Sequence, residues 1–264
     1  MSINISEWLN LIFRWSHVFS AILWVGSTYY FTWLDGRMKK TGDAPVWMVH
    51  SGGFYTVVKQ KTLTVPPGEV HWFRWEALAT FITGFALLNV VYYHGGLMVD
   101  AIDPKVTLVQ ASFISIATLL VGWTVYDLLA RPPLVTNEPV FAALGFLLTL
   151  VLAAALSRVL SSRAAYIHIG ALFGTIMVSN VWMRILPPQR RMIAAAAKGE
   201  PFSEALSAGA KLRSKHNTFL AVPTTFIMVS NHFPTATYGS RYAVAVLGVM
   251  ILVGWGAAGL LRRN

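Results

Sequence analysis

The sequence predicts an all-α polytopic membrane protein, a bundle of about seven transmembrane helices. Of its 264 residues, 55% are hydrophobic and only 12% are charged, whereas about 25% are charged in an ordinary soluble domain. The mean hydropathy is +0.56. The apolar residues fall in runs close to the length of about 20 residues that crosses a bilayer as a helix. We expect residues 1–264 to form a single transmembrane domain.

Seven apolar runs are predicted to span the membrane. In chain order they are residues 9–34, 75–93, 107–129, 139–160, 164–186, 218–233 and 242–261. The first run lacks the short apolar region and small-residue cleavage site of a signal peptide, so we expect a retained helix. The sixth run is short and contains Pro223, which can kink a helix and free backbone groups.

The basic residues predict the orientation of the bundle. If seven spans alternate, sixteen of the 21 lysines and arginines fall on one side of the membrane and four on the other. The positive-inside rule then places the N-terminus outside and the C-terminus in the cytoplasm. The connections 35–74 and 187–217 are therefore predicted to be cytoplasmic.

Both cytoplasmic connections carry a further prediction. In the first we expect a small hairpin, with residues 54–61 and 70–75 on either side of a turn at Pro66-Pro67-Gly68. In the second, residues 190–198 and 203–215 have the pattern of short amphipathic helices on the membrane surface. A solvated basic loop explains the same residues equally well.

Histidines are the candidate ligands of a redox group. His17 and His168 fall in the outer halves of the first and fifth spans, where polar groups are costly and tend to be functional. Two buried imidazoles on different helices suit a haem b, and the absence of cysteine excludes covalent c-type attachment. If no haem is bound, the same pair could hold copper or another metal. His94 and His232 end the second and sixth spans and are the reserve pair, although any of the four could instead be a hydrogen-bonded packing residue.

Charged residues within the spans have their own interpretations. Arg14 lies one turn before His17 and is a candidate partner of haem carboxylates, as are Arg158, Arg163 and Arg241. Glu76 begins the second span and could take part in a proton path from the cytoplasm. Asp127 lies four residues before Arg131, a spacing typical of a helical ion pair.

Several stretches together resemble the membrane domain of the bacterial cytochrome-c-linked urate oxidase (urate hydroxylase) family. They are spread over nearly the whole chain: Arg14-Trp15-Ser16-His17, Trp24-Val25-Gly26, Gly52-Gly53-Phe54-Tyr55, His71-Trp72-Phe73-Arg74-Trp75-Glu76, His168-Ile169-Gly170-Ala171 through Asn180, Pro187-Pro188-Gln189, Arg213 through Asn217, and Ser230-Asn231-His232-Phe233-Pro234. The first span is also similar, more weakly, to other histidine-bearing membrane haem proteins, including the membrane protoporphyrinogen oxidases.

The resemblance implies oxidation of urate to 5-hydroxyisourate in purine breakdown, at the bacterial inner membrane, with electrons passed to a cytochrome c. Family members commonly continue through another span into a C-terminal cytochrome c domain. This sequence ends at Arg262-Arg263-Asn264 with no Cys-x-x-Cys-His. We therefore expect either a truncated form or a separate cytochrome c as the electron acceptor.

Urate is a planar anion at neutral pH, so its site should combine aromatic stacking, amide hydrogen bonding and a cation. Asn231, His232 and Trp24, together with Arg14, are the predicted site residues. Two other functions remain open. A transporter for purines or other small solutes predicts flux without a chromophore, and a non-catalytic anchor that docks a cytochrome c predicts no urate turnover without its partner. Basic loops account for the net charge of +10, so we do not expect nucleic acid as a partner.

Overall fold

A computed structural model describes residues 4–42, 44–60, 68–201 and 203–263, and it confirms the all-α bundle. The α-helices are α1 Ile5–Thr41, α2 Trp75–Leu88, α3 Leu108–Leu129, α4 Glu138–Leu156, α5 Ser162–Ser179, α6 Leu186–Ala197, α7 Glu204–Ser230 and α8 Ala243–Arg263. Two π-helical segments, Asn89–Tyr93 and Asn180–Ile185, continue α2 and α5. A short 3-10 turn, Leu134–Thr136, precedes α4.

Local sequence signals fix several helix starts. Thr107 and Gln110 form a capping box at the start of α3, in which each side chain binds a backbone N–H of the other residue. The Asn137 side chain caps α4, which has a proline in its first turn. The Ser161 side chain caps α5 by accepting from the backbone N–H of Ala164. These caps satisfy N–H groups that a helix cannot bond internally.

The chain is a membrane protein: its described residues include five helices long and apolar enough to cross a bilayer. They cover Trp75–Tyr93, Leu108–Leu129, Glu138–Leu156, Ser162–Ala197 and Ala243–Arg263. The other two predicted spans, residues 9–34 and 218–233, lie within α1 and α7, which are long but more polar. The prediction of about seven spans is therefore confirmed for five. The crossing of α1 and α7, the orientation and the single-domain boundary stay predictions.

The connection after α1 contains the predicted hairpin, but with different strands. Strand β1 (Val46–His50) pairs antiparallel with β2 (Gly53–Val57). Ser51 and Gly52 between them both have positive φ, 50° and 76°, as a tight two-residue hairpin turn requires. The predicted strand 70–75 is wrong because these residues lead directly into α2. Of the predicted turn, Pro66 and Pro67 lie outside the described residues.

The two predicted surface helices of the second connection are wrong as separate elements. Residues 190–197 end α6, and residues 204–215 begin α7. The helix continues from α5 through the π-helical segment into α6, although Pro187 and Pro188 lie in its path. Both prolines fall in the first turn of α6, where an absent N–H donor costs least.

Helix α5 is the centre of the bundle. Of the span that contains it, 61% is buried within the protein, compared with 11% for α4. Gly170 allows α5 to approach α7 closely, because a Cβ at this position would lie 2.8 Å from Cγ2 of Ile227. This contact confirms the close packing expected of a small residue in a membrane helix. Helices α1 and α2 pack against each other at one side of α5.

Candidate functional site

His17 lies on α1 and faces α2. Its Nδ1 is 2.9 Å from the backbone oxygen of Thr80 and 3.3 Å from the hydroxyl of Thr83. A carbonyl oxygen only accepts, so Nδ1 carries the proton and Nε2 carries the lone pair. The ring packs directly on Gly84, where a Cβ would lie 2.8 Å from Cε1 of the imidazole. His17 is therefore held in one orientation, with Nε2 making no hydrogen bond among the described residues.

His168 lies on α5 and is completely buried. Its Nδ1 donates to the backbone oxygen of Ala164 at 2.6 Å, and its Nε2 lies 2.6 Å from the hydroxyl of Ser115. That hydroxyl lies 2.8 Å from the hydroxyl of Tyr93. Both ring nitrogens are thus occupied by protein hydrogen bonds, and coordination of a metal through Nε2 would require Ser115 to move.

The structure does not bring His17 and His168 together. His17 meets the second span at Thr80 and Gly84, whereas the ring of His168 meets it at Tyr92, with centroids 6.2 Å apart. Eight residues of continuous helix separate Gly84 from Tyr92, a rise on the order of 10 Å. Two axial nitrogens on one metal ion lie about 4 Å apart, since each bond is about 2 Å long. A haem or copper held jointly by this pair does not fit, and we derive no step through it.

The remaining predicted residues lie at the opposite end of α2 from Trp75. His94 is exposed, with its Nδ1 3.4 Å from the backbone oxygen of Asn89, and His232 is also exposed. The Arg14 guanidinium donates to the side chain of Asn10. Within the described ranges no group of three or more histidine, aspartate or glutamate side chains could hold a metal ion.

Among these residues, Asn231 has side-chain contacts with other helices. Its side-chain oxygen accepts from Nε of Arg163 at 3.0 Å and lies 3.4 Å from the hydroxyl of Tyr92. The sequence did not reveal Tyr92, and it indicated Arg163 only as a candidate partner of haem carboxylates. Tyr92 follows no periodic pattern, but it lies in a π-helical segment, a local feature often found at functional sites.

A cleft at the other end of the bundle has the features expected of a ligand site. We call it the tryptophan cleft and define it by five side chains: Trp72, Trp75, Trp182, Arg74 and Glu76. The Arg74 guanidinium lies 4.9 Å from the ring centroid of Trp75, 5.8 Å from that of Trp182 and 6.0 Å from that of Trp72. A cavity of about 420 Å³ opens beside Trp72, Arg74 and Trp75, a size typical of small-molecule pockets. Its other lining residues are Glu69, Val70 and His71, so Glu76 and Trp182 border the cavity's neighbourhood but do not line it.

Three polar atoms of the tryptophan cleft are buried without a hydrogen-bond partner among the described residues. They are Nε of Arg74, Oε2 of Glu76 and Nε1 of Trp182. Buried polar groups in proteins are almost always paired, and each exception requires an explanation. Only two other side-chain atoms in the described ranges share this state, on Tyr166 and Trp255. Three such atoms lie close together here, and this makes the cleft a candidate ligand site.

The local sequence explains how these side chains converge. Arg74 is the residue before the first turn of α2, which carries Trp75 and Glu76. Trp182 comes from the π-helical segment Asn180–Ile185. Trp24, a predicted site residue, packs from α1 against the small apolar core next to the cleft. Trp24 therefore packs behind the cleft, whereas Arg74 and Glu76 supply its charged groups.

A second charged region lies beside Asp127 at the end of α3. We call it the arginine cluster and define it by Asp127, Arg131, Arg184 and Arg213. The Asp127 carboxylate accepts from Arg131 at 2.7 Å and from Nε of Arg184 at 2.8 Å, and it forms an ion pair with Arg213 at 2.9 Å. The predicted pair with Arg131 is thus confirmed, and two further arginines that the sequence spacing does not reveal join it.

The arginine cluster continues into a fully paired amide network. Arg213 also donates to the side-chain oxygen of Asn180 and to the backbone oxygen of Ala130. The Asn180 amide donates to the side-chain oxygen of Asn217 and to the hydroxyl of Tyr126, both at 2.9 Å. No side-chain atom of these residues appears among the unpartnered buried atoms of the described ranges. This network stabilises the helix junction and offers few free groups to a ligand.

The two charged regions thus differ in chemistry. The tryptophan cleft presents flat aromatic rings, a cation, a carboxylate and an indole N–H donor, a set that suits a planar anion with both donor and acceptor edges.

The chain matches the model of the urate oxidase N-terminal family over residues 3–259. No curated protein and no solved structure matches it significantly.

Proposed function

The chain belongs to the urate oxidase N-terminal family, and on that premise we propose that it oxidises urate to 5-hydroxyisourate with the tryptophan cleft as its substrate site. The observation that carries this proposal is the set of three unpartnered buried atoms on Arg74, Glu76 and Trp182. Urate has ring N–H donors for the carboxylate and carbonyl or anionic oxygens for Arg74 and Trp182. The indole rings supply stacking surfaces for the planar purine.

The proposed reaction consumes urate and water and yields 5-hydroxyisourate, two electrons and two protons. We propose that Glu76 accepts one proton: its Oε2 has no hydrogen-bond donor among the described residues, and its Oε1 lies 3.9 Å from Nε2 of His71. Side chains do not carry the two electrons, so we propose that two molecules of oxidised cytochrome c each take one. We propose the bacterial inner membrane as the location. The predicted haem b stays a prediction that no contact of the structure tests.

His17 contacts the same helix that carries Glu76, at Thr80 and Gly84. The Thr80 hydroxyl donates to the backbone oxygen of Glu76 at 2.7 Å, and the backbone oxygen of Thr80 accepts from His17. Glu76 and the Thr80 carbonyl that His17 contacts are therefore about one helical turn apart. We propose that His17 also takes part in the reaction, because its Nε2 makes no hydrogen bond among the described residues.

The rival transporter function gains no specific support. A broken sixth span around Pro223 would favour it, but α7 is continuous from Glu204 to Ser230 across that proline. A non-catalytic anchor would have no use for three unpartnered polar atoms around an aromatic cleft. We therefore keep the enzymatic proposal alone.

The test is an Arg74→Gln variant, with Arg191→Gln as the matched control. Arg191 is an exposed arginine in α6 outside the tryptophan cleft. Urate binding is measured by isothermal titration calorimetry on purified protein, and turnover by urate-dependent reduction of added cytochrome c in membranes. A hydrogen bond to a charged group contributes about 1.5–3 kcal/mol, so Arg74→Gln should weaken binding by about ten- to a hundredfold.

The control variant should bind and turn over urate like the unaltered chain. Glu76→Gln should retain most binding and lose most turnover, because the amide cannot accept the proton. Unchanged urate binding in Arg74→Gln would overturn the assignment of the cleft. Absence of urate binding by the unaltered, folded chain would overturn the proposed function itself.

A further inference from the structure

A second cleft lies at the opposite end of the bundle from the tryptophan cleft. The α4–α5 connection and the segment between α7 and α8 form its walls. We call it the tyrosine cleft and define it by Tyr166, Tyr238, Arg241 and Tyr242. Its volume is about 320 Å³, and residues such as Ala153 line its apolar part. This volume falls at the lower end of the range found for ligand pockets.

Tyr166 gives this cleft a buried and unpartnered donor. The side chain lines the cleft and is only 5% exposed. Its hydroxyl makes no hydrogen bond with any described residue. Buried tyrosine hydroxyls usually find a partner. A ligand in the cleft that presents an acceptor oxygen would supply it.

The charge of the lining indicates an anionic ligand. Arg241 lines the cleft, and its guanidinium lies 4.5 Å from the ring centroid of Tyr242. The lining contains no aspartate or glutamate among the described residues. A ligand with a phosphate would meet a cation and hydroxyl donors, whereas the ammonium of a zwitterionic headgroup would find no carboxylate.

The surroundings of the cleft point to a ligand that enters from the bilayer. Helix α4 forms one wall and is only 11% buried within the protein. Its outward side chains are strongly exposed, among them Leu147 at 58% and Val151 at 66%. On α8, Val249 is 58% exposed. These surfaces are suited to acyl chains, and they run from the polar cleft along both helices.

We propose that the tyrosine cleft binds the phosphate headgroup of an anionic phospholipid, with Arg241 and the Tyr166 hydroxyl as its polar contacts. The acyl chains lie along α4 and α8. The proposal is independent of the urate activity, because the tyrosine cleft shares no residue with the tryptophan cleft. Positive pockets between transmembrane helices are a recurrent form of lipid recognition.

The experiment compares the unaltered chain with Arg241→Gln, Tyr166→Phe and Arg158→Gln. Arg158 is exposed in the same α4–α5 connection but does not line the cleft. Each protein is reconstituted in phosphatidylcholine nanodiscs containing a minor fraction of phosphatidylglycerol. It is then washed with mild detergent, and the retained lipid is measured by mass spectrometry. Size-exclusion elution confirms that each variant is folded, and Arg241→Lys is used if Arg241→Gln is not.

The unaltered chain should retain phosphatidylglycerol in preference to phosphatidylcholine. Arg241→Gln should lower that retention about tenfold, since a charge-assisted hydrogen bond is lost. Tyr166→Phe should lower it about fivefold, and Arg158→Gln should leave it unchanged. An equal loss in Arg158→Gln, equal retention of both lipids, or a quinone in place of the phospholipid would overturn the proposal.

Discussion

The tryptophan cleft and the arginine cluster both depend on the π-helical segment Asn180–Ile185. In that segment, Trp182 packs against Trp75 in the cleft, and Arg184 donates to the carboxylate of Asp127. In the arginine cluster three guanidinium groups share one carboxylate. In the cleft the Arg74 guanidinium lies beside indole rings, and its Nε has no partner among the described residues.

The difference separates a structural role from a binding role. Polar groups that are all paired stabilise a fold, and removing one leaves its partners buried and unpaired. A buried polar group without a partner lowers the stability of the fold until a ligand pairs with it. Such groups are therefore expected mainly at ligand sites. Substitutions in the arginine cluster should therefore change folding, whereas substitutions in the tryptophan cleft should change urate binding with little effect on folding.

The largest effect is expected for Asp127→Asn. The Asp127 side chain is 6% exposed and is the shared acceptor of three arginines. Removing one partner of a buried ion pair costs about 3–5 kcal/mol, because a charge remains buried without compensation. The free energy of unfolding should fall by this amount, and thermal unfolding in detergent should show a large decrease in melting temperature.

Glu138→Gln is the matched control for Asp127→Asn. Glu138 pairs with Lys215 at 2.6 Å, but its side chain is 56% exposed. Exposed pairs contribute about 0–1 kcal/mol, so this variant should melt close to the unaltered chain. If Asp127→Asn also melted like the unaltered chain, the arginine cluster would not be important for the stability of the fold.

A pH effect of intermediate size is expected from His216, which extends the arginine cluster. Its Nδ1 lies 2.8 Å from the hydroxyl of Tyr126, and the residue precedes the sixth predicted span. Burial, together with the charges of Arg213 and Lys215, lowers the pKa of His216 to about 4 from 6.5, and the charge of Glu138 opposes this shift. The unfolded chain therefore binds more protons than the folded chain between these pH values, and stability falls as the pH decreases through this window.

The expected loss is about 3 kcal/mol between pH 6.5 and pH 4. It is measured as the change in the free energy of unfolding across that range, in the unaltered chain and in His216→Gln. The variant should have a flatter pH dependence, because glutamine does not titrate. Parallel curves for the two proteins would show that water reaches this side chain, and the cluster would then be less closed than the structure indicates.

Much of the fold could be predicted from the sequence because the bilayer imposes a length and an apolar composition on each span. The caps at Thr107, Asn137 and Ser161 are equally local. Two features were missed. The helix continues through Pro187, a residue that usually ends a helix, and the hairpin turns at Ser51 and Gly52, which both have positive φ.

The candidate site was less predictable, since it depends on which faces of distant helices meet. The histidines were chosen by depth along each span, and depth does not show that Ser115 occupies Nε2 of His168. Arg74 was visible only within a family-like stretch, and Glu76 only as a charge at the start of a span. Trp182 comes from more than a hundred residues further along the chain and meets them through a π-helical segment that no periodic pattern indicates.

The smallest effect, and the sharpest test of the cleft, is expected for Trp182→Phe. Phenylalanine keeps an aromatic ring beside Arg74 and removes the indole N–H, which is buried without a partner among the described residues. Because that N–H bonds nothing within the described protein, folding stability should change little. A neutral hydrogen bond contributes about 1 kcal/mol, so urate affinity by calorimetry should fall about fivefold.

Trp255→Phe provides the control for that substitution. Its indole N–H is also buried and unpartnered among the described residues, but Trp255 lies on α8 against Phe146, away from the tryptophan cleft. This variant should bind urate like the unaltered chain. A loss of affinity confined to Trp182→Phe means that urate pairs with the unpartnered atoms of the cleft. An equal loss in both variants, or in neither, would mean that those atoms do not mark the substrate site, and the contrast between cleft and cluster would lose its functional meaning.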